Sequence, residues 1–236
     1  MQTAAERRQE LVALFKEAQA CTRCPLHSTR TQVVFGAGNA DADLMFVGEA
    51  PGAQEDLQGI PFVGRAGKLL DELLAENGLA RSDVFIANVL KSRPPENRDP
   101  QPDEIEACKP YLYRQVELIE PTVICTLGNF ATKLLTRSNT GISRVHGVPQ
   151  VHQVGGRSVQ IFPIFHPAAG LRTPRVKEQL REDFKKLPGI LAAGPPPQPG
   201  SPPDAERPFA AVAAQGPGQS AEADAEPPVD QLDLFG

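Results

Sequence analysis

Residues 44–74 read LMFVGEAPGAQEDLQGIPFVGRAGKLLDELL. The segment opens on a short apolar run and closes on Ala66, Leu69, Leu70, Leu73 and Leu74, with glycines and prolines held between. An apolar run of that length ahead of a Gly/Pro turn predicts a buried strand, and leucines recurring at three and four residues predict one face of a helix. Asn77 and Gly78 then close the helix as a cap. Strand, loop and helix in that order form one unit of an α/β fold.

Working outward, the same alternation repeats. Three more apolar runs predict buried strands: VFIANV at 84–89, TVICTL at 122–127 and VQIFPIF at 159–165. Helical spacing appears at Leu11, Leu14, Phe15 and Ala18, then from about Asp103 through EIEACKPYLYRQVELI with a kink or break expected at Pro110. Further helices are expected over about 129–135 and 175–187. Strands alternating with helices predict a three-layer α/β/α architecture around a central, mainly parallel sheet of about four strands.

Composition divides the chain. From Pro188 onward seven acids face one base, so the tail is strongly acidic while the body is close to neutral, although the whole chain carries −5. A near-neutral body can still present a basic face to an anionic partner. Residues 1–187 are expected to form the folded domain, with 188–230 a disordered Pro/Ala/Gly-rich acidic linker. No run approaches the roughly 18 to 20 apolar residues of a membrane span, and the N-terminus lacks an apolar signal core. The expected location is the cytoplasm, as a monomer.

In parallel sheets, sites gather beyond the carboxyl ends of the strands. The polar, Gly/Pro-rich stretches fall there: GEAPGAQED after the first run, NVLKSRPPENRDP after the second, LGN after the third and HPAAGLR after the fourth. Gly48, Gly52, Gly59, Gly64 and Gly67 let a backbone bend tightly and approach a ligand, with Glu49, Glu55 and Asp56 supplying carboxylates and Phe62 an aromatic face.

The segment GEAPGAQED with GIPFVGRAGKLL resembles the first motif of the family 4 uracil-DNA glycosylases, the iron-sulfur class of that superfamily. NVLKSRPPENRDP resembles the second block and FHPAAGLR the last, and the likeness spans residues 21 to about 185. The resemblance implies an enzyme that flips uracil out of DNA and hydrolyses its N-glycosidic bond, leaving an abasic site without a strand-cleaving lyase step. It implies that Asn88 reads the uracil edge, that Phe62 stacks on the base, and that Glu55 refuses the methyl group of thymine. His166 would donate to the 2-carbonyl as negative charge grows there, and Glu49 with the backbone of Ala50 and Pro51 would position the water. Arg65, Lys91, Arg93 and Arg172 would meet phosphates around the extruded nucleotide. His146, in ISRVHGVP, stands where the family has a basic residue.

The four cysteines fall as Cys21, Cys24, Cys108 and Cys125. Metal ligation and plain burial are the two readings of thiols in a reducing compartment, and four thiolates suit zinc as well as iron and sulfur. The resemblance implies a 4Fe-4S cluster held by all four.

The chain ends VDQLDLFG. Gln231, Leu232, Leu234 and Phe235 resemble the short peptide by which bacterial polymerases and repair proteins dock on the sliding clamp, so 231–236 is expected to bind that clamp. Two other readings remain open on sequence alone: a non-catalytic module that binds uracil or abasic DNA, and a zinc-stapled nucleic-acid adaptor.

Overall fold

A computed structural model describes residues 2–200. The strands are β1 (Ala37–Gly38), β2 (Leu44–Gly48), β3 (Phe85–Asn88), β4 (Val123–Leu127), β5 (Gln150–Val154) and β6 (Arg157–Ile164). The helices are α1 (Ala4–Gln19), α2 (Ala53–Gln58), α3 (Arg65–Ala75), α4 (Pro102–Ile119), α5 (Asn129–Thr136), α6 (Ile142–Val145), α7 (Pro167–Gly170), α8 (Pro174–Phe184) and α9 (Leu187–Ala192). The strands make one sheet in the order β1-β3-β2-β4-β6-β5. β3, β2, β4 and β6 run parallel, and β1 and β5 pair antiparallel at the two edges.

The four central strands are the four apolar runs. Because successive strand side chains point to opposite faces, each run feeds two cores. Met45, Val47, Phe85, Ala87 and Ile124 join Leu11 and Phe15 of α1 and Leu112 and Val116 of α4 on one face. Leu44, Phe46, Ile86, Val123 and Phe162 join Leu70 and Leu73 of α3 and Leu180 and Phe184 of α8 on the other. Phe46 stacks on Phe184 with ring centroids 5.8 Å apart, and truncating so buried a ring to Ala costs about 3–5 kcal/mol.

Two strands were not expected. β5 carries the polar sequence QVHQV with alternate residues exposed, and it forms a hairpin with β6 through Gly155, whose φ is 59°. An edge strand needs no apolar run, because one side of its ladder faces solvent. Pro163 lies past the last β6 residue paired with β5, where its missing N–H costs no ladder bond. Pro110 does not end α4, which runs through it; the residue is exposed, so the carbonyl that loses its donor can be hydrated.

Ile190 and Leu191 of α9 pack against the α3/α8 core, and Gln198 both accepts from the Ser158 N–H and donates to its carbonyl, at 3.1 and 2.9 Å. A side-chain amide mimics a strand neighbour there. The peptide Gln231, Leu232, Leu234, Phe235 lies outside the described residues. Among the described residues no helix is long and apolar enough to cross a membrane.

Candidate active site

β2 and β3 end side by side, with Gly48 paired to Asn88. A Cβ at Gly48 would stand 2.3 Å from Asn88 Oδ1 and 2.7 Å from the Phe62 ring, so the strand must end in glycine for these two side chains to meet there. Phe62 has φ 54°, in the left-handed region that non-glycine residues rarely occupy, and such strain persists only where the surroundings over-determine it. Arg81 donates to the carbonyls of Pro61 and Phe62 while pairing with Asp71. Gly67, in the first turn of α3, lets that turn press on the same segment, since a Cβ there would fall 1.6 Å from the Phe62 carbonyl oxygen. Glu55 accepts from the N–H groups of Val63 and Gly64 at 3.1 and 2.9 Å. This carboxylate therefore braces the loop that carries Phe62.

Asn88 is 2% exposed, and its Oδ1 has no hydrogen-bond partner among the described residues. An unsatisfied buried carbonyl costs about 1–3 kcal/mol. Such an atom, facing Phe62, is a receptor awaiting a donor.

His166 follows β6 and is the N-cap of α7. The Ala168 N–H donates to its Nδ1 at 3.1 Å, which assigns the ring proton to Nε2. Burial pushes its pKa down to about 4, against a smaller opposing pull from Glu55, so the imidazole is neutral at pH 7. Its ring faces that of Phe62 with centroids 5.6 Å apart. Gly128 closes the other side, where a Cβ would stand 3.2 Å from the His166 Cβ.

Glu49, just past β2, is half-buried. Burial and then the charge of Asp99 raise its pKa to about 7, within the range of a working general base. Its backbone carbonyl accepts from the Leu90 N–H at 3.0 Å. Ala50 is half-buried beside it and Pro51 is buried.

Of the four expected phosphate contacts, Arg65 and Arg172 are exposed and Arg93 is half-buried with its Nε bonded to Asn97. Lys91 is different. Its ammonium is buried, donating to the Asn88 carbonyl at 2.8 Å and to Gln115 Oε1 at 2.6 Å, with the Phe35 ring nearby. Burial pulls its pKa down to about 7. It anchors the Asn88 backbone and does not face a phosphate. His146 bonds through Nδ1 to buried Asp183 at 2.7 Å and packs on Phe165.

The cysteines divide. Cys21, Cys24 and Cys108 belong to the α1/α4 face, whereas Cys125 is fully buried on the α3/α8 face, near Asp183. Strand alternation decides this: Ile124 and Cys125 are neighbours on β4 and must point apart. The expected four-cysteine ligand set does not fit, because one thiol is separated from the other three by the sheet. Among the described residues no three His, Cys, Asp or Glu side chains are grouped to hold a single metal ion.

Two supports were not expected from sequence. Arg81 acts across nearly twenty residues, and nothing local signals it. Gln115 stands as a lone amide in the buried stripe of Leu112, Val116 and Ile119 on α4, a signal that was present.

The model of the family described as Uracil DNA glycosylase superfamily matches residues 35–187. A type-4 uracil-DNA glycosylase of Archaeoglobus fulgidus is 51% identical over 178 residues, covering 74% of this chain and 89% of that protein. One from Thermotoga maritima is 46% identical over 188 residues, covering 78% and 96%. A type-5 uracil-DNA glycosylase of Pyrobaculum aerophilum is 25% identical over 126 residues, covering 52% and 53%.

Proposed function

Because this chain belongs to the uracil-DNA glycosylase superfamily, on its type-4 branch, we propose that Asn88, Phe62 and His166 receive a uracil turned out of DNA. The protein is a DNA-repair glycosylase that excises uracil by hydrolysing an N-glycosyl bond. The observation that carries the site assignment is the orphaned, buried Oδ1 of Asn88. Uracil presents an N–H donor beside a carbonyl acceptor, and one carboxamide satisfies both. Cytosine presents an acceptor and a donor in the reverse places, leaving buried polar groups unpaired, and mismatches of that kind give strong discrimination.

Phe62 stacks on the base. Glu55 reaches the ring's 5-position as well as the loop backbone and so disfavours a methyl group there. As the bond between C1′ and N1 breaks, its electron pair goes to the base and the sugar becomes oxocarbenium-like. The Nε2–H of a neutral His166 donates to the 2-carbonyl where that charge grows. A neutral donor fits an anionic leaving group, because it stabilises the charge without first surrendering its proton. Glu49, with the backbone of Ala50 and Pro51, holds the water, accepts its proton, and lets its oxygen bond to C1′.

Arg65, Arg93 and Arg172 meet the phosphates. The reaction ends at the abasic site. A strand-cleaving step would need an amine in the pocket, and the Lys91 ammonium is turned toward Gln115 and Phe35. The partner proposed for Gln231, Leu232, Leu234 and Phe235 is the polymerase sliding clamp.

The test is release of free uracil from a labelled oligonucleotide by Asn88→Ala and Asn88→Asp. Both are expected to lose most of the uracil activity, with Asn88→Asp gaining some on cytosine. Wild-type release by Asn88→Ala would remove Asn88 from base reading.

A further inference from the structure

We propose that the cysteine site of this chain is a three-thiolate iron–sulfur site, formed by Cys21, Cys24 and Cys108, whose fourth iron is faced by the Ser92 hydroxyl and not by Cys125. The kind of group rests on the type-4 membership. The ligand set rests on the placement of these residues.

Three segments meet on the α1/α4 face. The first is the turn after α1, where the Cys21 N–H donates to the Ala18 carbonyl at 3.2 Å and Cys24 precedes the short helical turn Pro25–Ser28. The second is α4, which carries Cys108 and, three residues on, Tyr111; Arg23, between the two N-terminal cysteines, lies over the Tyr111 ring at 4.5 Å. The third is the strand exit at residues 91 and 92. The Lys91 N–H donates to Cys108 Sγ at 3.4 Å, the kind of backbone N–H to sulfur bond that supports cluster thiolates.

Ser92 is the next residue. It is 3% exposed, and its Oγ accepts from Arg30 Nη1 at 3.2 Å. Arg30 Nη2 in turn donates to the Gln19 carbonyl at 2.8 Å, two residues before Cys21. One guanidinium therefore stitches the Ser92 hydroxyl to the turn that bears the first two cysteines. Of the other buried oxygen groups of this region, the Glu104 carboxylate is taken by Arg98 and by the Gln101 N–H, and the Tyr111 hydroxyl is engaged with Cys21. Cys125, fully buried among apolar side chains across the sheet, could reach the site only if β4 turned over, and a one-residue slip would expel its whole core face.

Oxygen is a poorer partner than thiolate for the soft irons of such a cluster. The iron at Ser92 is accordingly the one that leaves on oxidation. The four-iron cluster gives one electron to an oxidant such as ferricyanide, which becomes ferrocyanide. It then releases one ferrous ion and remains as a three-iron cluster.

The experiment uses full-length wild type, Ser92→Cys and Cys125→Ala, purified without oxygen. Iron and acid-labile sulfide per chain, melting temperature and uracil release are measured on each. Iron content and EPR spectra are then followed under ferricyanide. Wild type and Cys125→Ala are expected to hold equal iron and sulfide and to lose about one iron in four, with the EPR signal of a three-iron cluster. Ser92→Cys is expected to keep all its iron. The proposal is overturned if Cys125→Ala loses the cluster while melting as wild type does. It is equally overturned if Ser92→Cys loses iron as fast as wild type, or if the bound metal is zinc. The Ser92→Cys comparison stands whether or not Cys125→Ala folds, and uracil release by the same samples separates a failed ligand assignment from a failed function.

Discussion

Lys91 donates its ammonium proton to the backbone carbonyl of Asn88 at 2.8 Å, from a position among Gln115 and Phe35, while the Asn88 carboxamide faces Phe62. The residue proposed to read the base is thus held from behind by a buried cation. Lys91→Met leaves the carbonyl and Gln115 Oε1 unpaired, at about 1–3 kcal/mol each. The expected outcome is a lower melting temperature and, if Asn88 shifts by the equivalent of about 1.4 kcal/mol in the transition state, roughly tenfold slower uracil release. Thermal melts and single-turnover assays measure both. A variant that melts lower yet cleaves at the wild-type rate denies Lys91 any positioning role.

His166→Ala should lower the cleavage rate by about 10²- to 10³-fold, the usual worth of one donor at developing charge, and affect DNA affinity far less. With a folded pKa of about 4, the ring stays neutral and its contribution to the rate is flat from pH 8 down to about pH 5. The folded pKa lies below the ordinary 6.5, so the associated stability is complete above that value and is lost as pH falls through 4. Acid melts of His166→Ala should show less of that loss. Equal losses in rate and affinity would make His166 a binding residue.

Glu49 shifts the other way. The cleavage rate should rise with pH through about 7 in wild type. In Glu49→Gln it should be flat and lower by roughly 10²- to 10⁴-fold. A raised carboxyl pKa costs stability as pH climbs from 4.5 through 7, so Glu49→Gln should melt above wild type at pH 8 and alongside it at pH 4. A pH–rate profile that keeps its inflection in the Gln variant would assign the titration to another group.

Deleting residues 231–236, or changing Leu234 and Phe235 to Ala, should abolish capture by a bacterial sliding clamp and leave uracil release from short oligonucleotides unchanged. The gain from such a tether is effective concentration, with the chemistry untouched. Pull-down with purified clamp measures it, and undiminished capture by the truncated chain would refute the assignment.

Much of the site was legible because its signals are local. Gly48, Asn88 and His166 each sit at or just past the end of a run that announces a strand, Phe62 lies in the Gly/Pro loop ahead of the leucine-spaced helix, and parallel strands deliver their carboxyl ends to one edge. β5 was not legible, since QVHQV has no apolar run, its strand partner is β6, and Val154 alone of its residues is buried in the core. The packing of Gln198 on Ser158 was hidden for a similar reason, because a glutamine in a Pro-rich stretch announces no partner.

Spacing and alternation alone therefore determined the α/β class, the four parallel strands and the cluster of polar loops beyond them, since these follow from periods of two and 3.6 residues along the chain. Which side a residue faces, and what it meets there, was decided by the assembled sheet. Lys91 reads as one more loop cation until burial beside Gln115 turns it inward. His166 acquires a defined tautomer only when α7 offers the Ala168 N–H. Cys125 looks like a fourth thiol in sequence, but one step along β4 from Ile124 puts it across the sheet from Cys21, Cys24 and Cys108. Chain spacing carries no record of that separation, because it arises from strand register and from helices packed on opposite faces.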